Sequence, residues 1–265
     1  MAQDLVQRLI TGDRQALARL ITHIERDDPG ASEIMQAVHP HTGEGYCIGV
    51  TGPPGTGKST LVDQLTLIMR SAPKGNSPKV GILAADPTSP FSGGAILADR
   101  IRMQRHYQDP GVFIRSMATR GSHGGLPKST RRAVKLLDAY GSDFVIVETV
   151  GVGQAELDIM DVADTVVVVL VPEGGDSLQA IKAGLMEIAD VFVVNKADRP
   201  GADVMMGDIS AMLALDTTER AWTPPVLATQ AHEAVGIQEL VAAIENHRKS
   251  AKESGSLTTR RRSRR

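Results

Sequence analysis

Residues 52–59 read GPPGTGKS and carry the most specific chemical pattern in this sequence. They match the phosphate-binding pattern G-x-x-x-x-G-K-[ST] without a mismatch. Glycines at these positions let the backbone wrap around a phosphate, with N–H groups aimed at its negative charge. We therefore expect nucleotide phosphates to be held by Gly52, Pro53, Pro54, Gly55, Thr56, Gly57, Lys58, Ser59 and Thr60.

Lys58 and Ser59 carry the reactive side chains of this loop. A lysine here places positive charge on the β- and γ-phosphates, and a serine hydroxyl here ligates Mg²⁺. A strand-like run precedes the loop, and apolar residues follow it at the helical spacing of Leu61, Leu65 and Ile68. Because the pattern requires this strand–loop–helix order, a glycine-rich turn that matches by coincidence is the weaker interpretation.

A second pattern, Asn195-Lys196-Ala197-Asp198, follows an apolar run and is typical of GTP-binding proteins. Guanine presents N1–H and a 2-amino group side by side, and the Asp198 carboxylate can accept hydrogen bonds from both. Adenine offers neither donor, so it would leave that carboxylate unpaired at a cost of about 1–3 kcal/mol. Asn195 is expected to tie this loop to the phosphate loop, with the Lys196 side chain over the base. A strand end followed by a helix cap is the alternative.

Carboxylates that follow two other apolar runs, Asp86 and Glu148, indicate a divalent-cation site. Mg²⁺ takes oxygen ligands, so we expect it to be held by Ser59, Asp86, Asp99 and Glu148. For Asp99, an ordinary surface charge is an almost equally good interpretation. Lys58 and Glu148 are the expected catalytic residues, and the Gly151 N–H is expected to contact the γ-phosphate.

Residues 100–135 are strongly basic, with nine Lys/Arg residues and one acid, although the whole chain has a net charge of −2. A solvated basic face and a partner-facing segment ordered by the γ-phosphate are equally good interpretations. No glutamine stands at an obvious position for orienting water, and Gln154 is no more than a guess. We therefore expect slow hydrolysis that a partner accelerates.

The elements that must position these residues alternate along the chain. Apolar β-rich runs occupy residues 46–51, 80–85, 112–115, 144–148, 165–171, 191–195 and 226–229. Segments of helical length lie between them at 59–70, 128–140 and 177–188. This alternation predicts an α/β fold, a P-loop NTPase with a mostly parallel sheet flanked by helices. Ligands bind at the carboxyl ends of such strands, where every motif above falls.

Three regions are expected. Residues 1–45 form an N-terminal helical appendage of two short helices and a third near 31–38. Residues 46–250 form the P-loop GTPase domain, and residues 251–265 form a basic tail with five arginines in its last six positions. The composition of the tail favours a solvated, disordered end over an arm that binds nucleic acid or a partner.

Composition excludes several classes of protein. Hydrophobic residues at 42% and charged residues at 23% are ordinary globular values and exclude wholesale disorder. Cys47 is the single cysteine, so the chain cannot form an internal disulfide or a multi-cysteine metal site. No apolar run approaches the ~20 residues of a membrane span, and the N-terminus lacks the features of a secretory signal. We expect a cytoplasmic protein that binds neither a membrane nor, at its net charge, nucleic acid.

Together these segments resemble the MeaB/ArgK family, the GTPases that accompany adenosylcobalamin-dependent acyl-CoA mutases such as methylmalonyl-CoA mutase. The resemblance rests on residues 52–60 (GPPGTGKST), 85–103 (ADPTSPFSGGAILADRIRM), 113–125 (FIRSMATRGSHGG), 148–154 (ETVGVGQ) and 195–198 (NKAD). The segments between residues 85 and 125 are the most specific, because ordinary GTPases lack them.

The resemblance implies a chaperone that binds the mutase, gates delivery of adenosylcobalamin and helps to remove damaged cofactor, coupled to GTP hydrolysis. It implies that a loop at Gln230, Ala231 and His232 closes over the base, although the family usually has Ser-Ala where this chain has Gln-Ala. It implies switch loops at 93–100, 151–156 and 174–178.

The resemblance to this family also implies a homodimer. The family's helical dimerisation arm follows the arginine-rich stretch, and this sequence stops at Arg265. The expectation of a homodimer therefore rests on the resemblance alone.

Two other functions stay open. A P-loop kinase or transport-coupled ATPase would use the same phosphate loop, but residues 195–198 argue against it. A metal-delivery GTPase for another metalloenzyme would carry His/Cys clusters, and one cysteine with seven dispersed histidines argues against that. A preference for GTP over ATP tests the first alternative, and a Ni²⁺ or Zn²⁺ titration tests the second.

Overall fold

A parallel sheet at the centre of the molecule carries the motifs. The structure, a computed structural model, describes residues 2–71, 77–86, 103–118, 126, 128–151, 155–172, 184–215 and 221–264. Within these ranges the strands are β1 (Tyr46–Thr51), β2 (Val80–Asp86), β3 (Val112–Ala118), β4 (Phe144–Glu148), β5 (Thr165–Leu170), β6 (Val191–Asn195) and β7 (Val226–Thr229). They form one parallel sheet in the order β3-β2-β4-β1-β5-β6-β7. The predicted α/β fold is confirmed.

Three strands differ in length from the prediction, and the smallest extension is in β2, which ends at Asp86, one residue past the predicted end. β3 continues three residues past Arg115, because its pairing with β2 runs from Val80 opposite Val112 to Asp86 opposite Ala118. Pairing with β2 therefore extends β3 through polar residues that interrupt its apolar run. β5 ends at Leu170, one residue before the predicted end.

Helices cover both faces of this sheet. They are α1 (Ala2–Ile10), α2 (Arg14–Arg26), α3 (Ala31–Val38), α4 (Lys58–Arg70), α5 (Lys128–Ala139), α6 (Ala155–Asp158), α7 (Met186–Ile188), α8 (Ala202–Leu215), α9 (Ile237–Glu253) and α10 (Ser256–Ser263). Buried residues of α1, α2, α3, α5 and α8 form the core on one face, and those of α4, α9 and α10 form the core on the other. Every residue of β5 is buried, as expected for a strand covered on both faces.

The N-terminal helices join the first of these cores. Asp13 caps α2 by accepting hydrogen bonds from the Gln15 and Ala16 N–H groups at 2.7 and 3.1 Å. Leu17 and Leu20 on α2 are fully buried and belong to the same core as α5. No helix in the described ranges combines the length and apolarity needed to span a bilayer.

The carboxyl-terminal residues are helical, so the prediction of a disordered end was wrong. Arg260 on α10 donates to both carboxylate oxygens of Asp190 at 2.8 and 3.1 Å. Arg261 donates to both oxygens of Asp164 at 3.0 and 2.5 Å. These aspartates directly precede β6 and β5 and are 6% and 3% exposed. The arginines order the helix because a buried carboxylate needs a paired charge.

Further buried polar groups extend from Asp190 along the amino edge of the sheet. His247 Nε2 lies 3.3 Å from Asp190 Oδ1, and His247 Nδ1 lies 2.7 Å from Thr165 Oγ1. The Thr165 hydroxyl lies 2.6 Å from the Tyr46 hydroxyl. Trp222, the single tryptophan of the chain, meets the His247 ring edge-on with centroids 5.2 Å apart and donates to the Asp190 carbonyl oxygen at 2.7 Å. We call these five residues the amino-end cluster.

Candidate functional site

The loop between β1 and α4 turns through glycines with positive φ. These angles are +135°, +77° and +89° at Gly52, Gly55 and Gly57. A Cβ on Gly52 would lie 2.1 Å from the Val169 carbonyl oxygen, so glycine lets the turn approach β5 closely. The Thr56 hydroxyl donates to the Pro53 carbonyl at 3.0 Å and closes the turn. The loop is therefore a tight turn held against β5 at the carboxyl edge of the sheet.

Lys58, the first residue of α4, lies across this loop. Lys58 is 7% exposed, and its ammonium donates to the Gly52 and Pro53 carbonyl oxygens at 2.8 and 2.9 Å. A Cβ on Gly151 would lie 2.5 Å from Lys58 Nζ, so a larger residue at 151 would displace the ammonium. Backbone N–H groups at the first turn of a helix suit an anion, and α4 begins at this loop.

Ser59 and Glu148 meet beneath the loop. Ser59 Oγ donates to Glu148 Oε1 at 2.6 Å, and both residues are buried. The pairing of Ala84 with Glu148 places Asp86, two residues further along β2, at the same edge of the sheet. The structure thus brings together two of the four predicted cation ligands and places the backbone of a third nearby. The fourth, Asp99, lies outside the described residues.

Asn195, at the end of β6, links three loops of the carboxyl edge. Its amide nitrogen donates to the Thr56 carbonyl oxygen at 2.7 Å, which is the tie to the phosphate loop expected from the sequence. Its amide oxygen accepts from the Thr229 hydroxyl at 3.0 Å and from the Ala231 N–H at 3.1 Å. All four residues are buried. One side chain therefore fixes the spacing of the phosphate loop and the two loops after β6 and β7.

Lys196 and Asp198 follow Asn195 on the outer side of the site. Lys196 has φ of +56°, and its ammonium donates to the Gly55 carbonyl oxygen at 2.8 Å, so its side chain reaches back over the phosphate loop. The Ala197 N–H donates to the Thr229 carbonyl at 3.0 Å, which holds the turn against β7. Asp198 is exposed, and its carboxylate is open to a ligand from solvent.

The loop after β7 is a tight turn. The Gln230 N–H donates to the Val235 carbonyl at 3.1 Å, and the reverse hydrogen bond is 3.2 Å. Ala231 is buried against Asn195, while His232 is exposed. A Cβ on Gly236 would lie 2.2 Å from the Ala228 carbonyl oxygen, so this turn also requires glycine. Of the three predicted base-loop residues, Ala231 is the one fixed to the rest of the site.

Glu156 adds a carboxyl group on the side of Lys58. Burial raises the pKa of Glu156, and the positive charge of Lys58 opposes this rise. Its carbonyl oxygen accepts from the Thr51 hydroxyl at 3.3 Å, and the Thr51 hydroxyl lies 3.0 Å from that of Thr149. These threonines hold the chain after β4 against the end of β1.

Known proteins are similar to this chain over nearly its whole length. The family described as Methylmalonyl Co-A mutase-associated GTPase MeaB matches residues 17–265. The chain belongs to the MeaB family. By family and by fold, this MeaB-family chain is a P-loop GTPase, as the sequence predicts.

Individual relatives of this MeaB-family chain cover most of its length. A Pyrococcus abyssi protein named as a candidate GTPase is 55% identical over 100% of this chain and 81% of its own length. The Escherichia coli GTPase ArgK is 36% identical over 95% of this chain and 77% of its own length. A solved structure titled LAO/AO transport system kinase has a TM-score of 0.78 and 29% identity, covering 99% of this chain and 80% of that one.

Several predicted features of this MeaB-family chain lie wholly or partly outside the described residues. They include Gln154, the implied switch loops at 93–100 and 174–178, and much of the basic segment 100–135. Thr229 and Thr149, whose hydroxyls bridge neighbouring loops, were not predicted as site residues from the sequence. Threonines at strand ends were a usable signal, because a hydroxyl there can form hydrogen bonds with polar groups of the loop that leaves the sheet.

Proposed function

We propose that this chain hydrolyses GTP to gate the loading of adenosylcobalamin into an acyl-CoA mutase of the methylmalonyl-CoA type, and the removal of damaged cofactor. The family description, a mutase-associated GTPase, supports the choice of client. The observation that carries the nucleotide part is the Asn195 side chain, which joins the phosphate loop and the loops after β6 and β7 into one cradle.

The phosphate end of this cradle is built for a nucleoside triphosphate. In the reaction, water oxygen bonds to the γ-phosphorus, the bond to the β–γ bridging oxygen breaks, and GDP and inorganic phosphate leave. In the structure, the Lys58 ammonium donates hydrogen bonds to two neutral carbonyl oxygens. We infer that, when GTP binds, the ammonium instead donates to the β- and γ-phosphate oxygens, which are charged and stronger acceptors.

The residues beside Lys58 fit a magnesium ion. The Ser59 hydroxyl and the Glu148 carboxylate are oxygen donors 2.6 Å apart, and hard divalent cations prefer an all-oxygen set. Ser59, Glu148 and, by strand position, Asp86 would hold the ion, with Asp99 as a further proposed ligand. Mg²⁺ bound there supplies positive charge that offsets charge on the phosphate oxygens.

The base end selects guanine. Asp198 is exposed at the mouth of the cradle, where its carboxylate can accept from both guanine donors. Lys196 is anchored on Gly55, so its aliphatic part can cover one face of the base. Gln230, Ala231 and His232 would close over the base from the loop after β7.

We also propose how the chain is divided and regulated. Residues 46–250 form the nucleotide-binding domain, with residues 1–45 as a helical addition and residues 251–265 as a basic carboxyl-terminal tail. Hydrolysis is slow until the mutase binds, and the chain forms a homodimer.

Steady-state GTP hydrolysis by the chain, alone and with the adenosylcobalamin-dependent mutase of the same organism, tests the proposal. We expect a slow basal rate that rises when mutase is added, and no comparable hydrolysis of ATP. A rate that mutase leaves unchanged, with no complex on size-exclusion in a GTP analogue, would contradict the choice of client. Equal hydrolysis of ATP would contradict the base assignment and favour a P-loop kinase or ATPase. Light scattering on the same samples tests the homodimer.

A further inference from the structure

A second charged cluster lies on α4, one turn beyond the phosphate loop. Asp63 is 8% exposed, and Arg105 donates to both of its carboxylate oxygens, with Nε 2.9 Å from Oδ1. His106, 3% exposed, places Nε2 2.9 Å from Asp63 Oδ1 and 3.1 Å from the Asp63 carbonyl oxygen. One buried carboxylate thus binds two neighbouring residues that precede β3.

Asp63 is tied to the catalytic end of α4 by helical spacing. It follows Ser59 by four positions, so the two side chains lie on adjacent turns of one helix face, with Cβ atoms about 5–6 Å apart. Ser59 in turn donates to Glu148. A change at Asp63 therefore acts on the turn of α4 that holds the phosphate and cation ligands.

The other side of the contact holds the chain that enters β3. Arg105 and His106 belong to a single helical turn, Gln104–His106, and Met103 just before it is 1% exposed in the core beneath α4. Asp99, a predicted Mg²⁺ ligand, precedes Met103 by four positions in the sequence.

The carboxylate is held in its charged form. Burial by itself would raise the pKa of Asp63, but hydrogen bonds from His106 and Arg105 lower that pKa below its ordinary value. The contact therefore persists at neutral pH as a charged, hydrogen-bonded unit.

We propose that Asp63 is a positioning residue for GTP hydrolysis, which anchors the chain before β3 to the helix that carries Lys58 and Ser59. This inference rests on the proposed GTPase function of the site. Asp63 contacts neither nucleotide nor cation in this proposal, and it acts through Arg105 and His106.

The chain provides a matched control on the same helix. Arg70, seven positions after Asp63 on α4, donates to both oxygens of Asp109 at 2.8 and 2.7 Å. This pair joins the same helix to the same connecting segment, but two turns further from the phosphate loop. Asp63→Asn and Asp109→Asn therefore remove comparable charged contacts at different distances from the site.

The test compares full-length wild type, Asp63→Asn, Asp63→Glu and Asp109→Asn. We expect Asp63→Asn to lower kcat for GTP roughly tenfold to 100-fold and to raise the Mg²⁺ concentration for half-maximal rate. GDP affinity with Mg²⁺ chelated should stay within about twofold, because the phosphate loop itself is unchanged. Asp63→Glu should recover part of the rate, and Asp109→Asn should keep the wild-type rate and Mg²⁺ dependence.

Either of two results would overturn the proposal: wild-type kcat and Mg²⁺ dependence in Asp63→Asn, or equal losses in Asp63→Asn and Asp109→Asn. If Asp63→Asn does not fold, Arg105→Gln leaves the His106 contact in place and is expected to shift kcat in the same direction. A wild-type chain that hydrolyses no GTP would overturn the proposed function first, so the two failures are distinguishable.

Discussion

The two edges of the sheet hold positive charge in different ways. At the carboxyl edge, Lys58 and Lys196 donate to backbone carbonyl oxygens of the phosphate loop. At the amino edge, Arg260 and Arg261 donate to the carboxylates of Asp190 and Asp164. A carbonyl is a neutral acceptor, whereas a buried carboxylate forms a stronger, charge-assisted hydrogen bond.

This difference separates a binding edge from a structural edge. A lysine on a neutral carbonyl can be drawn away by a phosphate, because the phosphate oxygen carries charge and the carbonyl does not. If an arginine moves away from a buried carboxylate, the carboxylate stays buried without a paired charge, which costs several kcal/mol. We therefore expect changes at the carboxyl edge to alter hydrolysis, and changes at the amino edge to alter stability.

The largest effect is expected at Lys58. Lys58→Ala removes the positive charge that the proposed function places on the β- and γ-phosphates, so GTP hydrolysis should fall by at least about 10²–10³-fold. Lys79→Ala, an exposed lysine 5.6 Å from the Tyr140 ring, should leave the rate unchanged. Steady-state hydrolysis measures both, and normal turnover in Lys58→Ala would remove the phosphate-loop assignment.

At the amino edge, Asp164→Asn should lower stability while leaving GTP hydrolysis almost unchanged. Asp164 accepts from Arg261 and from the Cys47 N–H at 2.9 Å, so neutralising it breaks a buried ion pair and should cost about 3 kcal/mol of unfolding free energy. Hydrolysis per folded molecule should stay within about twofold. Urea unfolding together with a GTPase assay checks this, and a large loss of kcat without a loss of stability would show that the edges are not separable.

A smaller effect is expected for base selection. Asp198→Asn keeps one acceptor for guanine and adds a donor, so the preference for GTP over ATP should fall roughly tenfold to 100-fold, equivalent to about 1.4–2.7 kcal/mol. Competition binding with both nucleotides measures the preference. Asp203→Asn, an exposed aspartate in the first turn of α8, is the control and should retain it. Unchanged discrimination in Asp198→Asn would argue against base reading by this residue.

The smallest effect concerns pH at the amino-end cluster. Burial lowers the pKa of His247 below 6.5, while the nearby Asp190 charge opposes this. The unfolded chain therefore takes up a proton before the folded chain does, and stability should fall as the pH drops below about 6.5 until the lower folded pKa is passed. His247→Gln should show a shallower fall in urea unfolding than wild type, and the exposed His39→Gln should match wild type. An identical fall in all three proteins would assign the pH dependence elsewhere.

The strands could be predicted from sequence because their signal is local. β1, β4, β6 and β7 begin and end where the apolar runs do, since strands covered on both faces need an almost unbroken apolar sequence. The end of β3 could not be predicted, because it depends on pairing with β2 rather than on its own residues. The carboxyl-terminal helix was missed for a similar reason: Arg260 and Arg261 find Asp190 and Asp164 at separations of 70 and 97 residues.

The candidate site shows the same division. The phosphate loop and the turn at 195–198 are contiguous motifs, so their positions follow from spacing alone. The hydrogen bonds that join these motifs depend on the strand order. That order places β6 beside β5 and β7 and brings Asn195 to Thr56 and Thr229. The Asp63 cluster gave no sequence signal, because Arg105 and His106 lie 42 and 43 residues from Asp63 and belong to no motif.

The edge-on contact between Trp222 and His247 makes the amino edge optically visible. Because the chain holds one tryptophan, all of its indole fluorescence originates 5.2 Å from the His247 ring, at the edge of the sheet opposite the phosphate loop. The protein therefore contains an intrinsic reporter placed away from the nucleotide. A shift of the emission maximum on adding GTP would be a spectroscopic sign that nucleotide binding at one edge of the sheet alters the other edge.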